Sequence, residues 1–168
     1  MASGLIFDPI KLLRVTPLLT STSFLWYAYD EHVFFSTLLH PELQNKDESI
    51  IPSFFRQTWN RNLSAILALG FTTIGTSAAN LLVSGQESGT VLSSCGRKLY
   101  WGGLAFTTAH FLFVPLIMWS VRDIMEVNRP KGEYSKDMKR WLGVHRIRTL
   151  VADLPAWICH VGAVISLI

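Results

Sequence analysis

Three carboxylic acids set in otherwise apolar stretches are the residues of this chain best able to do chemistry: Asp30, Glu31 and Asp153. An ionised side chain in hydrocarbon costs about 3 kcal/mol even on the mildest scales, so such residues mark functional sites by default. Tyr27 precedes the first two acids, and on a helix turning 100° per residue it lies angularly between them. Tyr27, Asp30 and Glu31 can therefore border one cleft. A carboxyl in an apolar setting can stay neutral and donate a proton. A second, beside a cation or water, stays ionised and accepts one. Two carboxyls split in this way form a general acid/base pair.

Asp153 belongs to a second array. His145, Thr149, Asp153, Trp157 and His160 are spaced 4, 4, 4 and 3, which is one stripe of an α-helix. Arg146 borders the stripe and Arg148 lies farther round. His110 stands alone in a third apolar stretch. Asn62, Thr73, Ser77 and Asn80 edge another. A structural role is open to the same groups. Asp153 can pair with Arg148, Arg146 or Arg61 to hold helix ends, and Asp30 can accept from Asn62 or a tyrosine. Three carboxylates at one level exceed what helix pairing needs. The aromatic residues around them, Trp26, Tyr27, Tyr29, Phe34 and Phe35 with Phe106, Phe111, Phe113, Trp119 and Trp157, suit an apolar ligand or a lipid-facing wall. The histidines lack metal-ligand spacing. No glycine-rich phosphate loop, nucleotide fingerprint or CxxC pair is present, so no cofactor is expected.

The elements that must hold these groups follow from composition. Of 168 residues 49% are hydrophobic and 16% charged, against about a quarter charged in ordinary soluble domains. The charges gather in short segments between long apolar runs, the pattern of membrane helices. The expected fold is all-α, an integral membrane four-helix bundle in one domain. Its spans are about 16–39, 59–83, 98–121 and 144–168. Pro17 suits a first helical turn, Pro115 should kink the third span, and Pro155 lies inside the fourth. Small residues in the second span, among them Ala68, Gly70, Gly75 and Ser77, allow close helix approach; they permit a homodimer without requiring one. The segment 123–143, rich in charge, reads as a loop.

A net charge of +3 might suggest nucleic acid, but the basic residues flank apolar spans and are expected to set topology instead. The first and third loops hold most of them, including Lys46, Arg56, Arg61, Arg122, Lys131, Lys136 and Arg140. Those loops are then cytosolic and both termini lumenal. Cys95 and Cys159 make no disulfide framework.

The run from Arg140 through Trp141, His145, Arg146, Arg148, Thr149 and Asp153 to Trp157 resembles the terminal helix of the anthrone oxygenase-like family. Trp59 with Arg61, and Val114-Pro115 followed by Trp119, are similar to that family too. These are small four-helix membrane proteins of fungal polyketide gene clusters, which implies the endoplasmic reticulum as the membrane. In size, span count and intramembrane acids the chain also resembles the epoxide hydrolases of polyene-polyether pathways, of aurovertin and citreoviridin type. That resemblance implies a lipophilic polyketide substrate taken from the bilayer.

Epoxide opening needs a proton donor at the leaving oxygen and a base for water or an internal hydroxyl. Asp30 is the expected base; Asp153, Glu31 or Tyr27 is the acid, the two aspartates being interchangeable on this reading. Arg148 or His110 tunes them, and Arg148, Asn62, Arg61, Trp26 and Trp157 are the expected substrate contacts. The alternatives are cofactor-free oxygenation of an anthrone-like phenol and a non-catalytic membrane scaffold for lipophilic metabolites.

Overall fold

In a computed structural model the described residues are 8–46, 49–83, 92–126, 129–130 and 132–167. Asp47, Glu48, Lys131 and the glycine-containing segment 84–91 that closes the second span lie outside them. The described residues are helical, with no strand among them: α1 (Pro9–Thr37), α2 (Pro41–Lys46), α3 (Ile50–Val83), α4 (Ser94–Phe111), α5 (Val114–Met125), α6 (Glu133–Arg148) and α7 (Leu154–Ile165). A π-helical turn, Thr149–Asp153, joins α6 to α7. Three helical stretches are long and apolar enough to cross a membrane: Ile50–Val83, Ser94–Met125 and Glu133–Ile165. The fourth rod, α1, carries Lys11, Arg14, Asp30 and Glu31 within its 29 residues and does not reach that level of hydropathy.

The rods pack in a ring. α1 lies against α3 and α7, and α4 lies against α3 and α7; α5 leans on α6. The start of α1, the end of α3, the start of α4 and the end of α7 share one end of the rods. There the Tyr100 hydroxyl donates to the Arg14 carbonyl at 2.7 Å.

Helix ends follow local chemistry. Asp8 caps α1 by accepting from the backbone N–H of Ile10 and of Lys11, at 2.9 and 3.4 Å, with Pro9 at the first helical position. The helix therefore begins well before residue 16, and Pro17 is interior rather than in a first turn. An interior proline strips the carbonyl four residues back of its donor. That carbonyl, on Leu13, instead accepts from the Asn80 side-chain amide of α3 at 2.8 Å. Pro115 does break its rod: α4 stops at Phe111, a turn passes through Leu112 and Phe113, and α5 starts at Val114.

The segment expected as a charged loop is in large part α6. Tyr134, Met138, Trp141, Leu142 and His145 recur at helical spacing and are buried, while Lys136, Lys139 and Arg140 face outward. Their apolar stripe closes a core with Phe35 and Leu38 of the α1 end, Ile51 and Phe55 of α3, and Val121 and Ile124 of α5. This core caps the ring at the end opposite the start of α1. Net charge masked the stripe, because four apolar positions in two turns suffice to bury one face.

Candidate active site

Beneath that cap α1, α4 and α6 bring four ionisable groups together with Asp153. Asp153 is 3% exposed and its Oδ1 lies 2.7 Å from Nδ1 of His110. With the carboxylate accepting, Nδ1 carries the proton and Nε2 holds a lone pair. Oδ2 of Asp153 lies 3.6 Å from Nε of Arg148, close enough for charge attraction but beyond a good hydrogen bond. Arg148 reaches back along α6, donating from Nη2 to Nδ1 of His145 at 2.8 Å. His145 is thereby left with its proton on Nε2, which donates to the Ala28 carbonyl of α1 at 2.8 Å. Trp141 stacks on the same imidazole, ring centroids 5.1 Å apart. Glu31 Oε2 stands 3.9 Å from Nδ1 of His145.

Two prolines account for this meeting. Arg148 and Asp153 are five apart, so on a regular α-helix they would point about 140° away from each other. A π-turn closes its hydrogen bond over five residues, so positions five apart come to about one face. The bond is made: the Leu154 N–H donates to the Thr149 carbonyl. Pro155 follows at once. It has no N–H for the Val151 carbonyl and would collide with it in a tight helix; the widened turn relieves both problems. Opposite it, Pro115 ends α4 just after His110. The His110–Asp153 pair thus joins two interrupted helices, at a place where irregular backbone inside a helical rod is often functional.

A cavity of about 400 Å³ opens over the cluster. Glu31, His110, Arg122 and Arg148 supply its ionisable groups; Trp59, Phe111 and Trp141 are among its apolar walls. A smaller cavity of about 190 Å³ lies between α1 and α3, and Tyr27, Asp30, Glu31, Thr58 and Asn62 border it. The expected site residues divide accordingly. His110, Arg148 and Glu31 face the larger cavity and Asp153 backs His110. Tyr27, Asp30 and Asn62 sit at the smaller one. Trp26 is 67% exposed and packs at a tilt beside Tyr29, Arg61 is exposed, and Trp157 donates to the Thr22 hydroxyl at 3.0 Å; these three line neither cavity. His145 emerges as the residue that aims Arg148, a role for which its place in the stripe was the only sequence signal. Among the described residues no group of three or more His, Cys, Asp and Glu side chains is arranged to hold a metal ion.

An apolar cavity floored by an acid-oriented histidine and a guanidinium, inside a ring of membrane-length helices, defines a candidate enzyme for apolar substrates. Comparison with known proteins gives the family. The chain is 31% identical over 166 residues to Epoxidase pydX of Acremonium sp., covering 97% of this chain and 98% of that one. It is 31% identical over 158 residues to Epoxidase gkaX of Penicillium citrinum, covering 94% and 95%. It is 26% identical over 165 residues to Oxaleimides biosynthesis cluster protein N of Penicillium oxalicum, covering 94% and 90%. The chain belongs to the family of these fungal epoxidases. No family model matches it, and no solved structure does.

Proposed function

We propose that this chain is an integral membrane four-helix enzyme that installs an epoxide on a lipophilic polyketide. The observation that carries this reading is end-to-end likeness to proteins named epoxidases. The geometry gives the chain's own part. His110, oriented by Asp153, presents Nε2 as a base for an acidic proton of the substrate. Arg148, held in place by His145, stabilises the enolate, phenolate or peroxide anion that results. Oxygen then meets a carbanion paired with the guanidinium, as in cofactor-free oxygenation of an anthrone-like phenol. The carbanion and oxygen form a C–O bond as a peroxide anion; its outer oxygen passes to an alkene of the polyketide as the epoxide, the O–O bond breaks, and the inner oxygen stays on carbon as an alkoxide that is protonated. The membrane is that of the endoplasmic reticulum, with both termini lumenal.

A second reading, epoxide opening, is favoured by the same acid/base groups. There Arg148 and a protonated carboxyl would receive the leaving oxygen, and His110 or Asp30 would activate water or an internal hydroxyl. One experiment separates the two. Microsomes containing the chain are given a polyene that carries an acidic C–H or phenol O–H and, separately, its di-epoxide, under oxygen-18 gas or in oxygen-18 water. Epoxidation puts gas-derived label into an epoxide of the polyene. Opening leaves the polyene untouched and puts water-derived label into a diol or into the cyclic ether formed from it, and none into an ether closed by a hydroxyl already on the substrate. If neither compound is converted, both readings fall and the scaffold role for lipophilic metabolites takes their place.

A further inference from the structure

The two cavities share a wall, and among the described residues Glu31 alone lines both. It is 7% exposed, whereas Asp30, at the edge of the smaller cavity, is exposed. The two sides differ in character. The larger cavity has bulky apolar walls. The smaller one also has Phe34, Phe35 and Phe54 in its lining, but Tyr27, Asp30, Thr58 and Asn62 add a phenol, a carboxylate, a hydroxyl and an amide, partners that water needs.

The groups facing Glu31 decide which of them can carry a proton. From its own helix come Tyr27 and Asp30, from α3 Asn62, from α6 His145 and Arg148, and beyond them Asp153. His145 is committed at both nitrogens, to the Ala28 carbonyl and to Arg148. Asp153 holds His110 with Oδ1. Two carboxyls thus face one guanidinium, so a single added proton balances the cluster, and Glu31, hydrogen-bonded to the Asn62 side chain at the wall between the two cavities, is the member placed to take and release it.

We propose that Glu31 is a proton-exchange carboxyl, passing protons between the His110–Asp153 site and water in the vestibule bordered by Tyr27, Asp30, Thr58 and Asn62. The role rests on the reading of His110 as a base. A base that takes a proton in a closed apolar cavity is reset only by giving it to the product or to water, and Glu31 is the route to water. The proton leaves the His110 N–H, forms an O–H on Glu31, and is released to vestibule water, so the protein ends as it began.

Carbodiimide labelling of the purified full-length chain in lipid nanodiscs tests this without any substrate. Dicyclohexylcarbodiimide partitions into apolar space and adds to protonated carboxyls. A water-soluble carbodiimide with glycine ethyl ester reaches carboxyls open to water. Peptide mass spectrometry is expected to find Glu31 modified by both, the first reaction fading as pH rises. Asn62→Trp, which plugs the vestibule, should slow the water-soluble reaction several-fold and spare the apolar one. Glu31 left unmodified by either reagent, or modified by the apolar reagent alone, overturns the proposal. Where turnover can be followed, Glu31→Gln should lower kcat more than KM, and Glu31→Asp should restore part of it; equal loss in Gln and Asp variants would mean a structural role. Labelling as expected with no epoxide chemistry would remove the reaction and keep the relay.

Discussion

A 2.7 Å contact between Asp153 and His110 makes a sharp demand on single residues. Asp153→Asn keeps the volume but exchanges an acceptor for an amide that can turn either face to Nδ1, so the imidazole loses its fixed tautomer. The expected outcome is a loss of turnover of about 100-fold or more, with thermal unfolding in detergent close to wild type. Turnover within a few-fold of wild type would take His110 out of the base role. A second demand lies nearer the other end of the rods. A Cβ on Gly103 would stand 2.3 Å from Nε2 of His160, and that ring is fixed by the Ser77 hydroxyl at 3.0 Å. Gly103→Ala should therefore destabilise by about 1–3 kcal/mol. Combined with His160→Ala, its cost should shrink, because the clash has gone. Unfolding midpoints of the two single variants and the double variant measure this; strict additivity would mean that the ring simply swings aside.

At the scale of elements, the π-turn is the device to test. Pro155→Ala supplies the missing N–H and lets 149–153 tighten into α-helical turns. Stability should hold or rise, since an interior proline costs about 3 kcal/mol. Activity should fall on the order of ten- to a hundredfold, as Arg148 and Asp153 rotate apart. Retained activity with raised stability would show that the wide turn does not position them. This element also shows what could be read in advance. The burial of His145, Asp153 and His160 and an interruption at Pro115 were legible, because apolar surroundings and proline chemistry are local signals, but the regular stripe expected through Thr149 and Trp157 is broken by the π-turn. Arg148 was one of three arginines open to Asp153, with Arg146 and Arg61; the choice among them was not legible, because it depends on a change of helical period that a 100° wheel cannot express. Likewise α6 read as loop, since its buried positions are few and its charges many. Pro17 looked like a helix start, because the cap at Asp8 and the rescue of the Leu13 carbonyl by Asn80 come from outside the apolar run.

For the molecule as a whole, the proposed topology puts the start of α4 in the lumen and the capped end in the cytosol. The native cysteines report on it. Cys95 is exposed and Cys159 half-buried. In sealed microsomes a membrane-impermeant maleimide should spare Cys95 until detergent is added; labelling before detergent would invert the topology. The chain should also stay with the membrane pellet after an alkaline carbonate wash, and release into the supernatant would refute integral insertion. Along the middle of the rods Phe71, Leu112, Val114, Leu116, Met118 and Val151 are all exposed, the outward apolar belt that such insertion would cover.

The larger cavity bears on how such an enzyme would meet its substrate. Leu63, Leu67, Val114 and Met118 line it and are also exposed on the flanks of α3 and α5. Its entrance is thus a side door, facing the acyl chains if the rods are inserted as proposed. A substrate arriving by that door is counted per lipid molecule, not per litre of buffer. Saturation should then follow mole fraction in the bilayer: diluting a fixed amount of enzyme and substrate with inert phospholipid should slow the reaction, while diluting the same vesicles with buffer should leave the rate per enzyme unchanged.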